Sequence, residues 1–138
     1  MNAIMKSSSP KRRSHLESNI KGRRMESLFE KLTRELMAGG RLLPWIARLD
    51  RANPNEDLYE GTDFKIKAIK ENGEGKSFFT IRIDVKSSEW QVGIFQSEHP
   101  DSRVHAIRID WSTTLEDVRV MLDGIYLQVL PKPPPQTA

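Results

Sequence analysis

Basic and aromatic side chains recur between Phe64 and Trp111 at positions that alternate with aliphatic residues. Strict alternation is typical of half-buried strands, in which neighbouring side chains point to opposite faces of a sheet. Cations bind phosphate groups and exposed rings stack on nucleobases, so a face of this kind suits a single nucleic-acid strand. The candidate residues on the predicted outer face are Lys65, Lys67, Phe78, Arg82, Phe95 and Arg108.

A second set of cations lies in residues 1–24, where seven Lys and Arg residues accompany a single acid, Glu17. This segment carries a net charge of +6 and the whole chain +3, so residues 25–138 carry −3. Its polar composition predicts a disordered basic arm, because it cannot bury enough apolar surface to offset chain entropy. The candidate phosphate-binding residues of the arm are Lys11, Arg12, Arg13, Arg23 and Arg24.

The arm has other interpretations. The run from Pro10 to Arg13 is typical of a nuclear import signal. A Ser- and Arg-rich segment with almost no acid also fits a mitochondrial transit peptide. A solvated tail that aids solubility, or a segment upstream of a true start at Met25, would have the same composition.

The sequence contains no recognisable catalytic constellation. It has no cysteine, which excludes disulfides, thiolate metal sites and a thiol nucleophile. Its three histidines are dispersed: His15 in the arm, His99 in a predicted turn and His105 on a predicted strand. Glu98 and Asp101 flank His99, but nothing in a flexible turn would fix metal-ligand geometry. We therefore expect no enzymatic activity, no metal and no cofactor.

Four alternating runs predict the strands that position the candidate face. They are separated by Asn72-Gly73, typical of a tight hairpin, by a Ser87-Ser88 turn and by a turn around Pro100. A two-residue hairpin turn places Ile66 opposite Phe79, whereas a four-residue loop pairs Glu71 with Lys76. The segments are residues 64–70, 78–85, 90–95 and 105–111.

All three turns give one consistent apolar face, which predicts an antiparallel meander. Trp90 and Trp111 are expected to be cross-strand neighbours in the core. On the outer face Arg82 and Arg108 are expected to flank Gly93 and to share a flat patch. Asp63, beside Arg82, and Asp110, beside Arg108, are the alternative partners in ordinary surface ion pairs.

Helices are predicted on both sides of the sheet. A stripe from Met25 to Leu36 and a shorter run from Leu42 to Leu49 precede it. After it, Thr113 and Glu116 have the spacing of a capping box, and Gly124 is the expected helix end. Ile125, Leu127 and Val129 then alternate as a short fifth strand.

The fold class is therefore α+β, with N-terminal helices, a four-stranded antiparallel meander, a capped helix and a short fifth strand. One domain spans residues 25–130, between the arm at 1–24 and a Pro-rich tail at 131–138. The order of meander and helix, over roughly residues 62–123, is similar to that of the whirly and Pur nucleic-acid-binding domains.

Two functions stay open on the sequence. The first is a non-enzymatic protein that binds single-stranded DNA or RNA through the arm and the outer sheet face. The alternative is a small protein-interaction module, such as an adaptor, chaperone or inhibitor, with a homodimer formed through the first helix or a sheet edge. Because no run has the length of a membrane span, we expect no membrane partner and an intracellular location, cytoplasmic or nuclear.

Overall fold

The computed structural model describes residues 10–39, 42–53, 62–73, 75–100 and 103–130, with the side chains from Ile20 onward except that of Asn72. These residues form an α+β structure of three helices and one four-stranded mixed sheet. In chain order the elements are α1 (Pro10–Ala38), β1 (Ile46–Arg51), β2 (Phe64–Asn72), β3 (Gly75–Lys86), α2 (Glu89–Glu98), β4 (Val104–Arg108) and α3 (Leu115–Val129).

Helix α1 packs on the sheet because its apolar residues recur at helical spacing. Met25, Phe29 and Leu36 are buried, and the Phe29 ring lies 5.0 Å from the ring of Phe64 on β2. Gly39 follows the last turn and donates its N–H to the Glu35 carbonyl. The predicted helix over Met25 to Leu36 is therefore confirmed.

The hairpin between β2 and β3 has the register of the longer predicted loop. Glu71 pairs with Lys76, Ile66 with Ile81, and Phe64 with Ile83. Gly75 has a φ of 133°, a conformation that residues with a Cβ rarely adopt. The register with Ile66 opposite Phe79 was wrong by two residues, which leaves every side chain on its predicted face.

The predicted third strand is a helix, so the meander was wrong. Ser88 caps α2 by accepting the N–H of Gln91, and Trp90 lies in the first turn of that helix. The helix crosses over between β3 and β4, and these two strands are consequently parallel. Since a meander is antiparallel throughout, the similarity in element order to the whirly and Pur domains is not retained.

The tryptophan pairing was wrong for the same reason. Trp90 is 75% exposed on α2, and Trp111 is 67% exposed in the turn after β4. Neither ring belongs to the core. The buried tryptophan is Trp45, which stacks on Tyr126 with ring centroids 4.4 Å apart and donates to Asp123.

Two flanking predictions were also wrong. The second half of the expected helix from Leu42 to Leu49 is in strand β1, which forms the sheet edge beside β2. The expected fifth strand is the second half of α3, so the described residues contain four strands. The capping box is present one residue later than predicted, with Thr114 as the cap and Asp117 as its partner.

The proposed division into arm, domain and tail is not tested by the structure. From Pro10 to Arg24 the backbone is helical and continuous with the rest of α1, although disorder of the free arm was expected. Residues 1–9 and the Pro-rich tail at 131–138 lie outside the described residues.

The core lies between the sheet and the pair of helices α1 and α3, on the face we call inner. Helix α2 packs on the opposite, outer face over β3 and β4. No helix among the described residues is long and apolar enough to cross a membrane. The sheet residues that form the inner layer are Leu49, Phe64, Ile66, Ala68, Ile81, Ile83, Val85, Ile107 and Ile109.

Candidate nucleic-acid interface

The outer face of β1, β2 and β3 is the part of the sheet that α2 leaves uncovered. Cross-strand pairing places Arg48 beside Lys67 and Thr80, and Asp50 beside Lys65 and Arg82. A shallow cavity of about 250 Å³ lies over this surface. We call it the open face, and its residues are Arg48, Asp50, Lys65, Lys67, Phe78, Thr80 and Arg82.

Phe78 is the aromatic residue of the open face. Its side chain is 53% exposed, and the Lys67 ammonium lies 4.5 Å from the ring centroid. An exposed cation over a ring contributes about 0.5–1 kcal/mol, less than the stacking of a base on the ring, so a base can displace the lysine from the ring face. A planar ring beside a cation is the arrangement on which an unpaired base stacks while its phosphate meets the charge.

The open face has an excess of positive charge. Four cations, Arg48, Lys65, Lys67 and Arg82, share it with one carboxylate, Asp50. Asp50 accepts a hydrogen bond from Arg48 Nε at 2.6 Å, at an exposed site where such a pair contributes little to stability. The local surplus is +3, although residues 25–138 as a whole carry −3.

Two residues that were predicted on the outer face, Phe95 and Arg108, are not part of the open face because of helix α2. Phe95 is 7% exposed and contributes to the layer between α2 and the sheet, with Lys86 Nζ 5.3 Å from its ring centroid. Arg108 lies at the end of β4, within 3.5 Å of Glu89 and 3.8 Å of Asp110. The alternative of a surface ion pair is therefore what the structure shows for Arg108.

The predicted patch shared by Arg82 and Arg108 does not form. Arg82 pairs with Val104, whereas Arg108 pairs with Lys86, four residues further along β3. At roughly 3.3 Å per residue this separates the two arginines by about 13 Å along the strands. Gly93 is in α2, which covers the sheet between them.

Two acids lie side by side where the outer face meets α2. Asp63 Oδ2 accepts the Val85 N–H at 2.7 Å, and Lys86 Nζ lies 2.9 Å from Asp84 Oδ2. Burial, and then the hydrogen bond to the Asp84 carboxyl, raise the pKa of Asp63 far above its usual value of 3.8. The neutral form of Asp63 carries no charge to repel the neighbouring Asp84 carboxyl, so that burial favours it.

The predicted binding residues of the arm lie apart from those of the sheet. Arg23 and Arg24 are exposed on α1 and, with Trp111, line a cavity of about 400 Å³ outside the inner layer. Lys11, Arg12 and Arg13 are in the helical backbone of α1, and their side chains lie outside the described set. The structure thus brings together Lys65, Lys67, Phe78 and Arg82, but not Phe95, Arg108 or the arm.

A groove lies at the free edge of the sheet. Strand β4 pairs with β3 alone among the described strands, and α2 and α3 flank its open edge. The groove has a volume of about 770 Å³. Ile109 donates its N–H to Lys86, and the alternation of the ladder turns the backbone groups of Ala106 and Arg108 outward.

The histidines do not form a metal or catalytic cluster in the described part of the chain, where no group of three metal-ligating side chains occurs. His105 is half-buried on the inner face opposite Ile83, and burial lowers its pKa. His99 ends α2 and packs on Phe95, with ring centroids 4.7 Å apart. Asp101, which flanks His99 in the sequence together with Glu98, lies outside the described residues.

Sequence reasoning missed two residues of these surfaces. Arg48 was assigned to a helix, although β1 places it on the open face beside Lys67. Trp111 was assigned to the core, although it is exposed beside α1. The signal that was available for Trp111 is its position, three residues before Thr114, which caps α3.

Comparisons with models of known protein families, with curated protein sequences and with solved structures returned no match.

Proposed function

We propose that this protein is a non-enzymatic nucleic-acid-binding protein that holds a single strand on the open face of its sheet. The observation that carries this proposal is the exposed Phe78 ring with the Lys67 ammonium 4.5 Å from its centroid, inside a patch with a surplus of positive charge. Base stacking on an aromatic ring contributes about 1–3 kcal/mol per base and tolerates any sequence.

The neighbouring cations support the same ligand. Lys65, Lys67 and Arg48 surround Phe78 on adjacent strands and line the same shallow cavity. A strand running across them would place successive phosphates near successive cations, with one base on the ring. The basic segment that ends at Arg24 adds further phosphate contacts, because phosphate binding needs charge rather than defined geometry.

Duplexes are a poorer fit. The open face is a shallow, twisted sheet surface, and a ring that stacks on a base needs an unpaired one. The proposal is therefore restricted to single strands, and both DNA and RNA remain candidate ligands.

The test is an anisotropy titration of a labelled oligonucleotide with three proteins. Phe78→Ala and Lys67→Gln together are expected to weaken binding by at least about tenfold, which corresponds to ~1.4 kcal/mol. Leu127→Ala with Arg119→Gln is the matched control, since it removes an exposed apolar side chain and one positive charge from α3, which packs on the inner side of the sheet.

The control is expected to bind like the wild type. Failure of the wild-type protein to bind any single-stranded oligonucleotide at low salt would refute the proposal. Equal losses of affinity in the test and control variants would show that binding depends on the overall charge of the protein and not on the open face.

A protein-interaction role is the second candidate, because the groove at the β4 edge favours it. An extended peptide could add a strand to the outward backbone groups of Ala106 and Arg108, with α2 and α3 as walls. A second copy of the chain could pair in the same way and give the homodimer. Such a partner would perturb Ala106 and Arg108 and leave Lys67 and Phe78 unaffected.

A further inference from the structure

We propose that Trp111 and the exposed flank of α1 form a second contact site for the same single strand, with Trp111 as its base-stacking residue. This inference rests on the proposed nucleic-acid function and extends it to a surface outside the sheet. The site, which we call the α1 groove, has a volume of about 400 Å³ and is lined by Arg23, Arg24, Ser27, Leu28, Lys31 and Trp111.

The α1 residues of this groove lie on the side of the helix turned away from the core. Met25 and Phe29 are fully buried against the sheet, whereas Arg23, Arg24 and Lys31 are exposed. Residues one and two turns apart share a helix face, so Arg24 and Lys31 line up along the groove with Ser27 between them. Arg23, Arg24 and Lys31 thus place three cations on the exposed side of α1.

The cations of the α1 groove have no acidic partner among the described side chains. On the neighbouring flank of the same helix, Glu30 pairs with Arg34 at 3.0 Å and with Arg51 at 3.1 Å. Arg23, Arg24 and Lys31 form no ion pair of this kind within the described part of the chain. Their charge is therefore available to an anionic ligand.

Trp111 is held in place by a hydrogen-bonded turn and contributes little to the core. Asp110 Oδ1 accepts the Ser112 N–H at 2.8 Å, the Asp110 carbonyl accepts the Thr113 N–H at 3.0 Å, and Thr113 Oγ1 accepts the Asp110 N–H at 2.9 Å. These bonds fix the backbone on both sides of Trp111. A fixed backbone that presents a 67% exposed indole loses little entropy when a ligand stacks on it.

The combination of a ring and cations selects the ligand. An acidic peptide would match the charge of the α1 groove but offers no flat surface to the indole. A nucleotide strand offers phosphates at the spacing of its bases, so that one unit satisfies both parts of the site. Leu28, half-buried at the base of the groove, adds an apolar floor for the base.

Intrinsic fluorescence can report on Trp111 separately. In a Trp90→Phe protein, Trp111 is the remaining exposed tryptophan, because Trp45 is buried and hydrogen-bonded to Asp123. Titration with an oligodeoxythymidylate is expected to quench this emission. Inorganic polyphosphate and polyglutamate, which supply charge without bases, are expected to leave it nearly unchanged.

Affinity provides the second readout, measured by anisotropy on the full chain. Trp111→Ala is expected to weaken oligonucleotide binding about fivefold or more, the range of a lost stacking contact, and Trp111→Phe less. Trp90→Ala is the matched control, an equally exposed tryptophan on α2. Lys31→Gln is compared with Arg119→Gln, which removes one positive charge on α3, outside both proposed sites.

The outcomes separate this inference from the proposed function. Loss of binding in the Phe78 and Lys67 variants, with no quenching and no loss in Trp111→Ala, would overturn the α1 groove and leave the sheet site standing. Loss in Trp111→Ala alone would support the groove and overturn the sheet site. Quenching by polyphosphate or polyglutamate equal to that by the oligonucleotide would refute base stacking, and a wild-type protein that binds no oligonucleotide would refute both.

Discussion

Asp63 and Asp84 are neighbouring acidic residues, and burial raises the pKa of the Asp63 carboxyl. Asp63 directly precedes β2 and Asp84 is on β3, at the boundary where α2 covers the sheet. Asp63 is further disfavoured as an anion by Glu26 on α1, while Lys86 lies beside Asp84. Burial therefore favours the neutral form of Asp63, and this preference makes folding depend on pH.

The sign of that dependence follows from the raised pKa of Asp63. Between the usual pKa of 3.8 and the raised value, the folded chain keeps a proton that the unfolded chain releases. Stability then falls as the pH rises through this range. Asp63→Asn is expected to flatten the dependence and to increase the free energy of unfolding at pH 8, because the amide can donate to Asp84 at any pH.

Urea denaturation at pH 5 and pH 8 measures the effect. Asp50→Asn is the control, since Asp50 is an exposed carboxylate paired with Arg48. A loss of stability in Asp63→Asn that is equally large at both pH values would show that the pKa of Asp63 is not raised in the folded chain.

At the scale of elements, the sequence predicted the β2–β3 hairpin well and the segments after it poorly. Asn72-Gly73 and the alternation around it identify both strands and both faces, and these are confirmed. From Trp90 to Phe95 the same alternation is present, but Val92 and Phe95 also lie at helical spacing. Periodicity cannot separate the two in so short a run. The deciding signal was Ser88 with Gln91 three residues later, the spacing of a helix cap.

The prediction for the last helix and the strand after it was wrong for a related reason. Gly124 was expected to end the last helix, yet it lies in the middle of α3, with Leu122 and Val118 buried on one side and Val129 packed on the core beyond it. A glycine ends a helix only where the chain needs a positive φ, which sequence alone does not show. The spacing of Ile125, Leu127 and Val129 therefore fits both a short strand and a continued helix.

Gly124→Ala is expected to stabilise the protein by about 0.5–1 kcal/mol, because alanine is the better helix former and the added Cβ meets no atom within 4 Å. Gly75→Ala is the matched control and is expected to destabilise, because Gly75 has a φ of 133°. Thermal or urea denaturation of both variants makes the comparison. A destabilised Gly124→Ala would argue against a continuous α3.

At the scale of the whole molecule, α2 decides which cations form a site. By packing on β3 and β4 it buries Phe95 and separates Arg108 from Arg82, while β1, β2 and the near side of β3 stay open. Lys65, Lys67 and Phe78 could be placed on one face from the hairpin register. Arg48, Phe95 and Trp111 could not, because each depends on the type of an element that the sequence misassigned.

The open face and the α1 groove lie on opposite sides of the inner core layer. A strand that contacts both must pass around an edge of the molecule, so short oligonucleotides are expected to occupy one site and longer ones both. A long oligonucleotide that occupies both surfaces makes more phosphate contacts than a short one. Its affinity is therefore expected to depend more steeply on salt.

The most direct test of the nucleic-acid proposal is an amide chemical-shift titration of the labelled protein with a short single-stranded oligonucleotide. The account predicts saturable shifts at Arg48, Lys65, Lys67, Phe78 and Thr80, the residues around the shallow cavity of the open face. Shifts confined to Ala106, Arg108 and the walls of the β4 groove, or no saturable shifts at low salt, would contradict it.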